Sequence, residues 1–266
     1  MDETRLTEEI LKLGPWHLDV EVVPGLTTRA WVDAGGEEQV DPGDSHFESP
    51  GDGFKDLLSE LYPGGLDGRA VLDCACNCGG YLFWARECGA GRCFGFDVRE
   101  HWIRQARFLR EHRTGGDDIE FEVRDLYDVP QLQLQPFDIT VFKGIFYHLP
   151  EPVGGLRLAA DLTRELLVLD TATCTDREDG AMVAEFESRD LLMSGVHGLA
   201  WRPTGPRVLE GILEFLGFEA TQVITWIPET APGWGRVTML AARDPALLAS
   251  IAERLAAEQT TAGAGG

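Results

Sequence analysis

The chain has 266 residues, of which 44% are hydrophobic, so it is long enough to bury a core in one large α/β domain. Its formal net charge of −22 repels phosphate backbones at long range and argues against unassisted nucleic-acid binding. No run of about 18 apolar residues predicts a membrane span, and the acidic N-terminus lacks the basic start of a signal peptide. We therefore expect a cytoplasmic protein with reduced cysteines.

Residues 1–50 read as irregular, with two Gly/Pro/Asp-rich stretches around Trp31, and we expect residues 1–53 to form an N-terminal cover. From residue 54 helical and strand patterns alternate, which predicts βαβ units in a mostly parallel sheet. The predicted strands are RAVLDC, RCFGFDV, IEFEVRDL, FDITVFKG and RELLVLDT, followed by the pair TQVITW and GRVTMLAAR. Helical patterns lie between them, so the expected fold is a Rossmann-like α/β sheet with helices on both faces.

The alternation breaks over about residues 171–204, which we interpret as an insertion on the substrate side of the sheet. It resumes with the helical pattern PRVLEGILEFLGF and closes with the helix ALLASIAERLAAEQ. The core domain is therefore predicted to span residues 54–258, and residues 259–266 are predicted to be a flexible tail.

Acidic residues follow the first three predicted strands. Asp73 ends the first strand, Asp97 the second and Asp125 the third. Ligands of open α/β sheets bind at the carboxyl ends of the strands, where an acid after the second strand can accept hydrogen bonds from ribose hydroxyls. The loop after the first strand lacks the G-x-G-x-x-G pattern of a dinucleotide site. These features favour a pocket for S-adenosylmethionine (SAM), whose sulfonium suits an acidic protein.

The loop after the first strand, DCACNCGG, carries cysteines at alternate positions. A C-x-C-x-C run at a strand end cannot easily bring three thiolates to one ion, and no C-x-x-C pair or nearby histidine completes a set. A disulfide between Cys74 and Cys76 has poor geometry at so short a separation. We therefore predict no metal site and interpret these cysteines as small packing residues.

Several motifs resemble the class I SAM-dependent methyltransferases, in the branch related to the tRNA wobble-uridine carboxymethyltransferases. The resemblance covers nearly the whole chain. It is carried by PWHLDVEVVPG near the N-terminus, Phe54-Lys55, the loop after the first strand, Gln105 to Arg107, FDITVFKGIFYHLPEP and Trp201-Arg202-Pro203. Ala75 departs from the usual first glycine of the loop, and Cys78 also departs from the common residues at its position.

This resemblance implies a seven-stranded fold that binds SAM and releases S-adenosylhomocysteine. It implies that Lys55 and Tyr147 contact the cofactor. Lys143 ends the fourth strand beside the expected point of methyl transfer. The predicted cofactor-binding residues are Lys55, Asp73, Ala75, Cys76, Asn77, Gly79, Asp97, Val98, Asp125, Leu126, Lys143 and Tyr147.

His148 and Lys143 are the candidate catalytic residues. His148 is either a general base, since imidazole titrates near neutral pH, or a structural histidine of its loop. His17, His46, His197 and Trp201 lie in segments expected to close over a substrate. The predicted substrate-binding residues are His17, His197, Trp201 and Arg202.

The sequence thus predicts a SAM-dependent methyltransferase acting on an oxygen or nitrogen of a small molecule such as a glycoside, a phenol or a natural-product intermediate. One alternative is a tRNA wobble-uridine methyl- or carboxymethyltransferase, which the resemblance permits and the charge disfavours. Another is a SAM-binding sensor without catalysis. Carboxylated SAM would require further cations, for which Lys55, Arg202 and Arg236 are the candidates. Nucleic-acid and membrane partners are not expected.

Overall fold

The computed structural model of the protein describes residues 3–37 and 47–263. Its N-terminal part is folded, which corrects the expectation of an irregular segment over residues 1–50. This part contains helix α1 (Glu3–Leu13), the paired strands β1 (Glu21–Val23) and β2 (Leu26–Thr27), and helix α2 (Arg29–Asp33). The expectation for His46, and for most of the Gly/Pro/Asp-rich stretch before it, falls outside the described residues.

The N-terminal segment packs into the main core. The amphipathic helix α1 buries Leu6 and Ile10, and Trp16 donates its indole N–H to the carbonyl of Ile10 at 2.8 Å. The buried Gln105 side chain donates to the carbonyls of Leu13 and Pro15 at 2.8 and 2.7 Å. The segment is thus tied to the domain through both apolar contacts and buried hydrogen bonds.

A seven-stranded sheet forms the centre of the fold, which confirms the predicted architecture. The remaining strands are β3 (Val71–Cys74), β4 (Cys93–Asp97), β5 (Ile119–Val123), β6 (Phe137–Lys143), β7 (Thr163–Cys174), β8 (Met182–Phe186), β9 (Leu199–Pro203), β10 (Ala220–Ala231) and β11 (Trp234–Ala242). The order in the sheet is β10-β11-β7-β6-β3-β4-β5. Strand β11 is antiparallel to both its neighbours, and the five strands from β7 to β5 are parallel.

Helices cover both faces of this sheet. They are α3 (Gly51–Leu61), α4 (Gly80–Glu87), α5 (Glu100–His112), α6 (Pro152–Asp161), α7 (Pro206–Phe215) and α8 (Ala249–Gly263). Two apolar clusters form, one with α1, α3, α4, α5 and α8 and the other with α6 and α7. No described helix has the length and apolarity that crossing a membrane requires. Helix α8 extends into the segment 259–266 that was predicted to be a tail.

The chain changes direction at the middle of the sheet. It starts at β3, moves outward through β4 and β5, and returns to β6 on the opposite side of β3. Asp73 lies at this centre, opposite Gly95 of β4 and Val141 of β6. Such a switch point opens a crevice at the carboxyl ends of the strands, where open α/β sheets bind ligands.

The insertion begins later than the sequence predicts. Strand β7 continues through Cys174, because β11 supplies an antiparallel partner along its whole outer half, with Cys174 opposite Trp234. The insertion then contributes β8 and β9, which pair antiparallel in a separate two-stranded sheet. We call residues 175–204, with this pair of strands, the roof.

The six cysteines are free, and most are buried. Burial raises the pKa of Cys74 and of Cys76 well above its ordinary value, and it raises the pKa of Cys78 and of Cys93 to about 12. These thiols are therefore protonated near neutral pH, whereas a metal ligand or nucleophile is a thiolate. The cysteines after β3 act as small packing side chains.

We expect the buried thiols to be unreactive in the folded protein. Ellman's reagent near neutral pH should modify Cys88, which is only partly buried, and should reach all six thiols only after unfolding in guanidinium. Absorbance at the thionitrobenzoate band measures the count. Rapid native-state modification of Cys76 or Cys78, located by peptide mass spectrometry, would contradict this assignment.

Candidate active site

The loop after β3 adopts a tight left-handed path. Ala75, Asn77 and Gly79 have φ values of 58°, 52° and 81°. A side chain at Gly79 would also lie 2.5 Å from the ring of Phe121, so glycine is required there by space as well as by conformation. Ala75 accepts the strain that a glycine would avoid. This path turns the loop over the carboxyl end of the sheet and starts α4.

Asp97, at the end of β4, holds this loop. Its carboxylate accepts hydrogen bonds from the backbone N–H of Asn77 at 3.1 Å and of Arg99 at 2.9 Å. Burial raises the pKa of Asp97 to about 6, although the backbone donors Arg99 and Asn77 oppose the shift. Each carboxylate oxygen has a second lone pair, so Asp97 can still accept a bond from a ligand hydroxyl.

Asp73 is the second acid of the loop. Its side chain is buried, and its Oδ2 has no hydrogen-bond partner within the described residues. Burial raises the pKa of Asp73 well above its ordinary value, with a further contribution from Asp97 that Lys143 opposes. A buried carboxyl group without a partner is costly, and a cationic or amino ligand would relieve that cost.

Asp125 caps the turn after β5. One oxygen accepts the backbone N–H of Tyr127 at 2.9 Å, and the other lies 3.2 Å from Nε2 of His197 in the roof.

Val98 and Leu126, the predicted cofactor-binding residues that follow Asp97 and Asp125, differ in exposure. Val98 is 39% exposed, whereas the side chain of Leu126 is buried in the core beneath α6. Leu126 can therefore contribute only its backbone to a pocket.

An ion triad joins the carboxyl-terminal parts of β6 and β7 to the amino-terminal part of β11, which runs antiparallel to β7 and so reaches the same edge of the sheet. Asp170 is buried, and its carboxylate lies 3.2 Å from Nζ of Lys143 and 2.5 Å from the guanidinium of Arg236. Burial alone would raise the pKa of Asp170, but Lys143 and Arg236 lower it below its ordinary value. Both cations share one carboxylate, so Lys143 is a paired cation.

Tyr147 and His148 occupy the 3₁₀ turn that follows β6. Tyr147 lies near Arg236, and burial raises the pKa of its phenol, which stays protonated near neutral pH. Nδ1 of His148 lies 2.6 Å from Oε1 of Glu187, which follows β8. Nδ1 is buried and makes no hydrogen bond of good geometry among the described residues, so its contact with Glu187 is one of proximity.

The roof makes contacts with both parts of the site. Arg99 donates to the carbonyls of Leu191 and Ser194 at 2.9 and 2.7 Å, while its own backbone N–H is bound to Asp97. Trp201 donates its indole N–H to the carbonyl of Pro150 at 3.0 Å, beside the turn of His148. The roof therefore covers the carboxyl edge of the sheet.

Arg202 is also a roof residue. Its guanidinium forms an ion pair with Glu185 and stacks on the ring of Trp234, with 3.1 Å between Cζ and the ring centroid. Burial lowers the pKa of Arg202, and Glu185 opposes the shift. Arg202 is thus fixed between β8 and β11 at the edge of the site.

The structure places Lys55 away from the loop, which corrects its assignment as a cofactor ligand. Its Nζ lies 3.2 Å from Asp52 and 3.3 Å from Glu87, at the end of α4 opposite the loop. The acids of α3 and α4 hold it there. His17 lies nearer, because its neighbour Leu18 packs against Gly80 at the start of α4.

Comparisons with known proteins give the family. Residues 66–198, half of the 266 residues, match the family model described as a methyltransferase domain. Curated relatives include the tRNA U34 carboxymethyltransferase of Campylobacter lari, 28% identical over 45% of this chain and 41% of the relative. The enzyme of the same name from Aliarcobacter butzleri is 28% identical over 60% of this chain and 50% of the relative.

A solved structure of similar fold is the N-terminal domain of EvdMO1, crystallised in the presence of SAH and D-fucose. It superposes with a TM-score of 0.69 at 19% identity, covering 91% of this chain and 97% of that domain. This chain spans half, or less than half, of the length of these two curated relatives. The likeness to EvdMO1 concerns the fold.

The fold and the loop define a class I SAM-dependent methyltransferase domain. The chain belongs to the methyltransferase domain family, and its relatives confirm the resemblance to the wobble-uridine branch. The residues present fit SAM. The buried Oδ2 of Asp73 has no hydrogen-bond partner among the described residues, so it can accept a bond from an amino group. Asp97 has lone pairs that can accept bonds from ribose hydroxyls.

Sequence reasoning missed two acids of the site. Asp170 follows an apolar strand in the same way as Asp73 and Asp97, so the same pattern would have found it. Glu187 lies in the roof, where no periodicity marks one acid above the others. Its position next to His148 arises from tertiary packing alone.

We expect SAM binding to weaken as the pH falls through about 6, because Asp97 then takes up a proton and loses its negative charge. Asp97→Asn should weaken SAM binding by about 10- to 100-fold near neutral pH, since a charge-assisted hydrogen bond contributes about 1.5–3 kcal/mol. Calorimetric titration with SAM, at about pH 7.5 and about pH 5, measures both effects.

Asp128→Asn is the matched control, because Asp128 is an exposed acid in the turn after β5. It should leave the affinity and its pH dependence as in the wild type. Equal SAM affinity in wild type and Asp97→Asn would show that Asp97 does not bind the cofactor.

Proposed function

We propose that the protein is a SAM-dependent methyltransferase that methylates a hydroxyl oxygen of a small neutral molecule, with glycosides as the leading acceptor class. The observation that carries the acceptor class is the pairing of cations at the carboxyl edge of the sheet. Lys143 and Arg236 share Asp170, and Arg202 is paired with Glu185. Each of these cations already contacts a carboxylate of the protein.

An anionic acceptor, or a carboxylated cofactor, would need a cation with no such partner. Freeing Lys143 or Arg236 would break one of the two ion pairs of the buried Asp170 and leave this carboxylate with a single cation. Lys55, the other candidate, is engaged by Asp52 and Glu87 at the far end of α4. The pairing therefore favours unmodified SAM and a neutral acceptor.

The roof supports an acceptor of limited size. It contacts the cofactor side through Arg99 and through the His197–Asp125 pair, and the turn of His148 through Trp201. A neutral molecule with hydroxyl groups fits beneath such a cover more readily than a folded nucleic acid does. D-fucose, which is named with the EvdMO1 domain of similar fold, is a neutral sugar with hydroxyl groups.

Asp73, Asp97, Asp125 and the loop residues Ala75 to Gly79 would hold SAM at the centre of the sheet. Tyr147 and the backbone at Val98 and Leu126 would complete its pocket. Bound SAM supplies an electrophilic methyl group. His17, His197, Trp201 and Arg202 would line the substrate side.

His148 would accept the proton of the acceptor hydroxyl. Its turn follows β6, at the edge of the sheet where the roof and the cofactor loop meet. A hydroxyl is a weak nucleophile until it loses its proton, and a positioned base contributes about 10²- to 10⁴-fold to the rate. Lys143, held by Asp170, would act by its charge and not as a proton acceptor.

We expect the purified protein to transfer tritium from methyl-labelled SAM to at least one hydroxyl compound in a panel of hexoses, including D-fucose, with their glycosides and simple phenols. His148→Gln should lower kcat by about 10²- to 10⁴-fold. Its SAM affinity should match that of the wild type, because His148 lies outside the cofactor loop. Liquid scintillation counting of extracted product gives the rate.

His112→Gln, on the far end of α5, is the control for loss of a histidine. SAM binding without turnover on this panel or on a metabolite extract would favour the sensor alternative.

The tRNA alternative is favoured by the names of the curated relatives and by one surface feature. A cavity of about 740 Å³ is lined by Arg104, Arg107 and Arg110 of α5. Arginine side chains at such a surface can bind the phosphates of a tRNA backbone. Glu111 and Asp117 line the same cavity and reduce its positive potential.

We expect filter binding to show no salt-sensitive affinity of the protein for bulk tRNA at moderate ionic strength. Contact with several phosphates would instead make the affinity fall steeply as salt rises. Such a fall, removed by Arg104→Ala with Arg107→Ala, together with methyl transfer to tRNA, would reverse the ranking.

A further inference from the structure

We propose that Glu187 is a positioning residue that fixes the ring of His148 and its tautomer, so that the roof completes the proton acceptor of the site. This inference rests on the proposed function, because it assigns a partner to the base of that reaction. It draws on a contact between two segments that are far apart in sequence.

The contact is short and sheltered. Nδ1 of His148 lies 2.6 Å from Oε1 of Glu187, and the two side chains are only 15% and 14% exposed. Both Nδ1 of His148 and the other carboxylate oxygen, Oε2, are buried without a hydrogen bond of good geometry among the described residues. Water competes weakly for either group at such exposure, so the attraction between them is poorly screened.

The chemistry of the pair sets the tautomer. An ionised carboxylate only accepts hydrogen bonds, so the ring nitrogen that faces it must carry the proton. With Nδ1 protonated, neutral His148 has its free lone pair on Nε2. Nε2 can then take the proton from an acceptor hydroxyl, and the negative charge of Glu187 balances the imidazolium that forms. A carboxylate behind the base has this orienting role in other proton-transfer sites.

The roof packs closely around this pair. A Cβ added at Gly195 would lie 2.8 Å from the carbonyl oxygen of His148 and 2.7 Å from Oε2 of Glu187. The neighbouring Ser194 carbonyl is bound by Arg99 at 2.7 Å. The backbone of the roof at Gly195 therefore packs against both His148 and Glu187. A displacement of the roof would move Glu187 away from His148.

Other charged groups surround His148 from each element packed against its turn. Arg202 lies on β9, Asp170 on β7 and Glu151 at the start of α6, while Tyr147 shares the turn. The ring of Tyr147 lies 3.9 Å from the imidazole, between centroids. Glu187 also acts by its charge on Arg202 and Tyr147, so the spectrum of His148, and not activity alone, reports the pair.

The direct test is the tautomer of His148 in the full-length protein, which needs neither SAM nor an acceptor. Long-range ¹H–¹⁵N correlation spectra distinguish Nδ1–H from Nε2–H rings, and the His148→Gln variant assigns the signal. We expect the Nδ1–H form in the wild type, its loss in Glu187→Ala, and its recovery at least in part in Glu187→Asp.

Asp190→Ala is the matched control. Asp190 is an exposed acid of the same roof, so its removal changes the net charge equally without touching His148. It should leave the His148 spectrum unchanged, and circular dichroism should show that all variants are folded. If Glu187→Ala does not fold, Glu187→Gln and Glu187→Asp carry the comparison of charge with geometry.

A Nε2–H ring in the wild type, or the same tautomer in wild type and in Glu187→Ala, would overturn the inference. This readout is independent of turnover, so failure to find an acceptor would count against the proposed function and not against the pair.

With an acceptor in hand, Glu187→Ala should lower kcat by about 10- to 100-fold, as loss of an orienting partner typically does. Its KM for SAM should stay unchanged. A merely structural role would leave the tautomer of His148 unchanged.

Discussion

The burial of two carboxyl groups at the switch point of the sheet is the constraint on which the site depends. Asp73 and Asp97 lie at the ends of adjacent parallel strands and raise each other's cost of ionisation. Backbone N–H groups from the loop and from Arg99 satisfy Asp97, which dictates the left-handed path of the loop. Asp73 lacks such a donor among the described residues. The electrostatics of this pocket therefore favour a cation.

A third buried carboxyl group, that of Asp170, lies on the proposed substrate side, but it is paired with cations. Asp170 is as deeply buried as Asp97, but Lys143 and Arg236 lower its pKa, so this acid is ionised and matched. One edge of the sheet therefore holds an unsatisfied acid beside a satisfied one. The unsatisfied Asp73 is suited to a positively charged cofactor, while each cation of the triad already contacts a carboxylate.

The sheet and the acids at its carboxyl edge can largely be predicted from the sequence, because they follow from strands that end in acids. The apolar runs before Asp73, Asp97 and Asp125 fix the sheet and the pocket together. The assignment of Lys55 failed, because a matching position on a helix does not determine which end of the next helix its side chain reaches. Glu187 and the fold of α1 to α2 depend on tertiary packing: Glu187 follows a short strand in the roof, and the N-terminal segment gains its structure against Gln105 and Gly80.

Arg99 has two attachments of different chemical kinds. Its backbone N–H donates to the carboxylate of Asp97, while its side chain binds the roof through the main-chain carbonyls of Leu191 and Ser194. Main-chain carbonyls are present whatever the side chains are. Substitutions along the roof can therefore alter the surface offered to an acceptor while its anchorage persists. The attachment of the roof to the loop after β3 is therefore separable from the side chains that the roof presents.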